Sequence, residues 1–191
     1  MFRDQPKALY VLSLTELWER FGYYTLTTVF TLYLIDVLKM RDAQAYLLFG
    51  AFTAFAYLMP VVGGVIADRV FGHGRAIVLG AAMMSAGYLL LALGSTDTMY
   101  VALGILVVGN GLFKANVSAL LGHFFEDQDS RRASAFTIFY MGINIGSLAA
   151  TLVAGILAVQ FGYWVAFAAA GCGKLLSLLT FLYGRRYLEE H

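Results

Sequence analysis

The sequence predicts an all-α, polytopic membrane protein with six transmembrane helices. Three observations carry that prediction. Of the 191 residues, 60% are hydrophobic and only 13% charged, where a soluble domain has ~25% charged residues, and the mean hydropathy is +0.74. Apolar runs long enough to span a bilayer fill the chain from end to end, which is the pattern of a multi-pass protein and not of a soluble domain with one anchor. Short polar turns separate these runs, with no low-complexity segment or long linker between them, so the chain reads as one bundle. The net charge of +1 says nothing about nucleic acid by itself, and no basic nucleic-acid patch stands out in the sequence.

Each helix follows from its own stretch. Met1 to Lys7 is a short polar lead with Pro6 just before the first apolar run, helix one, about 8–38. That run is too long and too aromatic for a cleaved signal peptide and lacks a small-residue cleavage pattern. Its length of ~45 Å at ~1.5 Å per residue exceeds the ~30 Å hydrocarbon core, so it tilts or projects. After a polar turn at 39–42, helix two covers about 43–67 and holds Tyr57 and Pro60. Pro60 removes a backbone donor and is expected to kink it, which membrane helices tolerate when neighbours compensate. A loop at 68–75 leads to helix three, 76–94, then helix four, 99–125, helix five, 132–159, and helix six, 163–183.

Six spans return both termini to one side of the membrane. That side carries Arg3, Lys7, Arg69, Arg75, Arg131, Arg132, Arg185 and Arg186, and the other only Lys39 and Arg41. Eight against two places the termini in the cytoplasm by the positive-inside rule. Glycines within the spans, such as Gly63, Gly111 and Gly146, suit close helix packing. Cys172 is the sole cysteine, so no intramolecular disulfide forms.

The chemistry concentrates in Glu16-Leu17-Trp18-Glu19-Arg20-Phe21-Gly22-Tyr23-Tyr24. At helical spacing Glu16, Glu19, Arg20, Tyr23 and Tyr24 fall on one stripe, which Thr27 extends. A charge at bilayer depth costs at least ~2.5 kcal/mol, so such groups face a cavity or a partner. In helix four Lys114 sits near mid-span, too deep to reach either surface, and requires a carboxylate; Glu16 and Glu19 are the obvious candidates. Arg20 stays protonated, so a proton taken up by a glutamate releases a cation that can hold a ligand carboxylate. A permanent ion-pair clasp between helices one and four is the plainer alternative. In the loop of 63–75, Asp68, Arg69 and Arg75 are expected to form a charge network that is remade when the bundle rocks, or else simply obey topology. On helix five, Tyr140 and Asn144 stand at i and i+4, suited to a polar ligand or to a hydrogen bond between helices.

Glu16 to Tyr24 matches the ExxERFxYY motif of the proton-coupled oligopeptide transporters, the peptide branch of the major facilitator superfamily. Gly63 to Arg75 resembles that superfamily's loop between helices two and three, and Phe136 to Leu148 (FTIFYMGINIGSL) resembles the peptide family's helix-five signature. The resemblance covers nearly the whole chain. It implies the N-terminal six-helix bundle of such a transporter, importing di- and tripeptides by alternating access across a plasma membrane, of the bacterial inner-membrane type. Protons would be the coupling ion, with no other cofactor and no metal. By the same resemblance Glu16, Glu19, Arg20 and Lys114 serve proton coupling, and Arg20 with Lys114 holds the peptide carboxylate. Tyr23, Tyr24, Tyr57, Tyr140 and Asn144 line the peptide site. Thr27 departs from the many relatives with a long basic or polar side chain there.

Transporters of this superfamily have two six-helix halves, each built from inverted three-helix repeats, with the substrate between the halves. The resemblance therefore implies as partner either a C-terminal half or a second copy, besides the lipid bilayer. Competing readings are a carrier of another small anion or drug-like carboxylate, and a membrane structural or assembly subunit without transport. An intramembrane protease is disfavoured, since no GxSG occurs and His73, His123 and His191 lie at or near interfaces. Lys174, mid-span in helix six, matches no motif, and Leu188 to His191 reads equally as native sequence or a tag.

Overall fold

The computed structural model describes residues 5–125 and 129–188. Arg3, one of the charges in the topology count, and the tail from Glu189 to His191 lie outside them. The described residues form six α-helices: α1 (Lys7–Asp36), α2 (Asp42–Ile66), α3 (His73–Leu91), α4 (Thr96–Gly122), α5 (Arg132–Phe161) and α6 (Tyr163–Gly184).

Local chemistry explains where the boundaries differ from the sequence reading. No helix breaker stands between Ala67 and Phe71, so α2 continues through a π-helical turn over Ala67–Phe71. Gly72, with φ +74°, is what stops it. The expected loop of 68–75 thus shrinks to one residue, and α3 begins three residues early. Ser95 caps α4, its hydroxyl accepting from the Thr98 N–H at 3.2 Å, which likewise starts that helix early. Gly162, at φ +94°, separates α5 from α6.

Five of these stretches are long and apolar enough to cross a membrane: 42–71, 73–91, 96–122, 132–161 and 163–187. The protein is a multi-pass membrane protein. α1 is as long as α5, but Glu16, Glu19 and Arg20 in its middle lower its hydropathy and keep it from qualifying on composition.

The packing has a two-part symmetry. α1 packs chiefly against α5 and α6, α4 packs chiefly against α2 and α3, and contact between α3 and α6 joins the two groups. Exchanging α1 with α4, α2 with α5 and α3 with α6 maps these main contacts onto themselves, as two related three-helix units would. The closest approaches follow the same exchange. A Cβ on Gly63 of α2 would clash with the Gly111 carbonyl of α4, and one on Gly146 of α5 would clash with the Leu17 carbonyl of α1. Only glycine permits backbones to cross that closely. The Gly146 crossing seats α1 on α5 one residue from Glu16. Phe30, Phe113, Phe167, Tyr88 and Leu12 fill the core.

α2 remains one helix through Pro60 because α4 supplies what the proline removes. Proline at 60 leaves the Ala56 carbonyl without its i+4 donor. Asn110 Nδ2 donates to that oxygen at 2.6 Å from a fully enclosed position on α4. Replacing Asn110 by leucine is expected to cost about 1–3 kcal/mol, the penalty of a buried carbonyl left unpaired. Pro60→Ala in the same background restores an intrahelical donor, so the double variant should lose less than Asn110→Leu alone in detergent unfolding measurements.

Candidate functional site

The charged motif of α1 is folded inward. Glu16, Glu19 and Arg20 are all buried, at 4%, 0% and 5% exposure. One helical turn brings Arg20 Nε within 3.3 Å of Glu16 Oε1, and the same Nε is bonded to Glu19 Oε2. One guanidinium therefore serves two carboxylates. The Arg20 guanidinium also lies 5.1 Å from the centroid of the Tyr23 ring, whose edge meets Tyr24 at 5.6 Å between centroids. Such cation–aromatic contact adds attraction without another charge.

Two other helices close this cluster. Tyr23 of α1 lies within electrostatic reach of Tyr57 of α2, and Lys114 of α4 rests its ammonium 4.5 Å from the centroid of the Tyr57 ring. Lys114 feels Arg20, Glu19 and Glu16, but among the described residues it forms no ion pair with either glutamate. The expected clasp between Lys114 and a carboxylate is thus corrected: Arg20 already occupies both acids, and the half-buried lysine turns to an aromatic face. The structure brings together Glu16, Glu19, Arg20, Tyr23, Tyr24, Tyr57 and Lys114.

Tyr140 and Asn144 are not in that group. Gly142 and Gly146 press α5 against the Ser13 and Leu17 carbonyls of α1. Residues two positions away point to the opposite side of the helix, so Tyr140 and Asn144 are exposed. Thr27, half-buried, bonds its hydroxyl to the Tyr24 carbonyl at 3.3 Å.

The turn after α2 also differs from the reading. Asp68 faces His73, with Oδ1 3.5 Å from Nε2, and among the described residues neither Arg69 nor Arg75 forms an ion pair. The expected three-charge network is absent because the π-helical turn points Asp68 at the start of α3. In its place, His73 Nδ1 lies 2.8 Å from Asn116 Oδ1, while Asn116 Nδ2 donates to the Leu112 carbonyl at 2.7 Å. That bond fixes the amide, so His73 donates. Sequence reading missed His73 and Asn116, although a histidine directly after the stop glycine and an asparagine inside an apolar span were both visible. In the connection between α4 and α5, hydrogen bonds from the side chain and the N–H of Arg131 hold the Asp129 carboxyl below the usual carboxylate range.

A cavity of about 560 Å³ lies well away from the cluster, between α3 and α6, lined by Phe71, Val78, Leu120, Phe181, Arg75 and Arg185. It is mostly apolar and, apart from Arg75, is lined by none of the candidate coupling, ligand-site or loop residues. No group of three or more metal-ligating side chains occurs among the described residues.

A family model described as the POT family matches residues 74–191. The chain belongs to the POT family. That match begins after the α1 motif, whereas relatives align over almost everything. The dipeptide and tripeptide permease B of Xenorhabdus bovienii is 41% identical over 189 residues, 98% of this chain and 39% of the relative. The dipeptide and tripeptide permease A of Escherichia coli K12 is 40% identical over 189 residues, 98% of this chain and 38% of the relative. The crystal structure of a peptide transporter POT in complex with sulfate superposes with a TM-score of 0.94 at 34% identity, over 99% of this chain and 40% of that one. A POT family transporter in complex with 5-aminolevulinic acid gives 0.94 at 28% identity, over 99% and 40%. The chain thus spans about two fifths of the length of the curated relatives it matches. The family is one of peptide transporters and not of enzymes.

Removing the shared cation should be costly. Arg20→Met leaves two buried carboxylates with no guanidinium and is expected to destabilise the fold by roughly 3–5 kcal/mol. Adding Glu19→Gln removes one of those charges, so the double variant should recover part of the loss in chemical unfolding of the detergent-solubilised protein.

Proposed function

We propose that this chain is the N-terminal six-helix half of a proton-coupled importer of di- and tripeptides in a bacterial inner membrane. α1 is then a sixth span, made tolerable by the pairing of both its buried acids with Arg20, and both termini lie in the cytoplasm, as the arginine and lysine distribution favours. A C-terminal half, or a second copy, completes the pathway. The observation that carries the reading is the buried arrangement of Glu16, Glu19 and Arg20 directly beside Tyr23, Tyr57 and Lys114, in a chain 41% identical to a dipeptide and tripeptide permease.

The cycle follows from that arrangement. A proton on Glu16 or Glu19 removes one of the two carboxylates competing for Arg20, whose Nη2 has no hydrogen-bond partner among the described residues. Arg20 and Lys114 then take the carboxylate of the peptide. Tyr23, Tyr24 and Tyr57 line this end of the site. Tyr140 and Asn144, on the exposed face of α5, line the surface turned to the other half. Rocking of the halves carries the peptide across, and the turn holding Asp68, Arg69 and Arg75 changes its contacts as the bundle moves. Protons are the coupling ion, with no other cofactor or metal.

A second reading, a carrier of another small carboxylate, is favoured by the relative whose structure holds 5-aminolevulinic acid. Competition separates the two in proteoliposomes containing the complete reading frame. Dipeptides but not C-terminally amidated dipeptides should compete for uptake if the carboxylate is clamped, and a small amino acid competing while dipeptides do not would favour the second reading. Glu19→Gln is expected to abolish uptake driven by a proton gradient while retaining counterflow exchange. Wild-type proton-driven uptake by that variant would overturn the coupling role.

A further inference from the structure

Lys174 is the mid-span charge that no motif accounts for, and it is also completely buried, at 0% exposure. Its place in the bundle is set by α6. Ser177, one turn along, donates its hydroxyl to the Thr15 carbonyl at 2.7 Å. Gly173 lies against Phe21 and the Trp18 carbonyl, and Gly22 lies against the Ala170 carbonyl. Successively lower numbers on α6 therefore meet higher numbers on α1, so the two helices run antiparallel and Lys174 stands at the level of Glu16 and Glu19. From the third side, Phe113 of α4 covers the ammonium, which lies 3.2 Å from the ring centroid.

The polar atoms around it are incompletely used. Lys174 Nζ makes no hydrogen bond and no ion pair within 4 Å among the described residues, and Glu16 Oε2 and Glu19 Oε1 make no hydrogen bond. Arg20 is shared between both glutamates, which leaves the α1 motif one negative charge in excess when both are ionised. A buried excess charge requires a counter-charge nearby. Lys114 is half-buried and turned to Tyr57. Lys174 is enclosed with the acids, and Glu19 and Glu16 are the charges that act on it most strongly.

We infer that Lys174 is the counter-cation of the Glu16 and Glu19 pair: it balances the second carboxylate inside the bundle, governs the pH at which that pair takes up a proton, and leaves Lys114 for the ligand. It acts through the glutamates, as a positioning residue, and does not touch substrate. The other groups facing this site are Arg20 and Tyr23 of α1, Tyr88 of α3, which interacts with Glu19 and Arg20, and Lys114 of α4. α2 brings Tyr57 beside Tyr23. α5 holds no acid, and its Arg132 and exposed Tyr140 lie off the cluster.

The inference deepens the proton-coupled reading and rests on it only for the transport readout. The test uses the complete reading frame in liposomes, comparing wild type, Lys174→Met and Lys174→Arg. The infrared band of protonated carboxyls is titrated against pH, and peptide uptake is followed over the same range. Loss of the cation should move the carboxyl midpoint to higher pH by about one unit, since an adjacent opposite charge favours the ionised acid by at least that much. The alkaline limit of proton-driven uptake should move with it, while Lys174→Arg stays near wild type. A folded Lys174→Met protein with the wild-type midpoint overturns the proposal. Absent uptake in the wild type would overturn the transport reading and leave the infrared comparison to decide on Lys174. Should Lys174→Met fail to fold, Glu19→Gln/Lys174→Met decides: recovery of folded protein when the acid is also neutralised supports the pairing, and equal failure overturns it.

Discussion

Everything in this bundle is arranged around the burial of charge on α1. Glu16, Glu19 and Arg20 sit in a helix otherwise fit for an apolar environment, and the bundle accommodates them by turning all three inward against a common set of partners. A carboxylate facing hydrocarbon has no solvent to stabilise it, so the cost of burial is met only by a nearby cation held in place. Arg20 provides that for two acids at once. With both acids ionised the motif carries one net negative charge, and with one of them protonated it is neutral.

Holding such a cluster requires a stiff frame, and the frame depends on backbone contacts more than on large side chains. At Gly146 the α5 backbone crosses α1 beside the motif, and at Gly63 the α2 backbone crosses α4. Neither crossing tolerates a Cβ. The same economy appears at Pro60, where the unpaired Ala56 carbonyl is satisfied by Asn110 from the neighbouring helix. A single asparagine thereby converts a potential break in α2 into a tie between α2 and α4, close to where Tyr57 and Lys114 meet. Packing and site geometry are consequently coupled: the residues that satisfy the backbone are those that set the spacing of the aromatic and cationic groups.

Membership of the POT family gives these contacts a context without replacing the physical account of them. The family match covers residues 74–191, and the α1 motif outside it gains its meaning from where it folds. At the level of its acids α6 places Lys174, a residue outside the motifs read from the sequence, with its ammonium on Phe113, while Lys114 lies against Tyr57.

Composition and periodicity alone determined that the chain is a helical membrane bundle, where its six helices lie to within a few residues, and that α1 carries a continuous acid, base and phenol stripe. Those properties are legible because they depend on local spacing: apolar run length, the 3.6-residue repeat, and the residues that start or stop a helix. The early starts of α3 and α4 came from Gly72 and Ser95, whose capping geometry overrode the apparent polar loops. Only the tertiary structure decided which groups meet. It enclosed Lys174 at the level of the buried acids and turned Lys114 to Tyr57, turned Asp68 to His73 rather than to arginine, and left Tyr140 and Asn144 on an exposed face. Such choices depend on the angular position of one helix against another, set by glycine crossings and hydrogen bonds between residues far apart in the chain, and no repeat within a single helix encodes them.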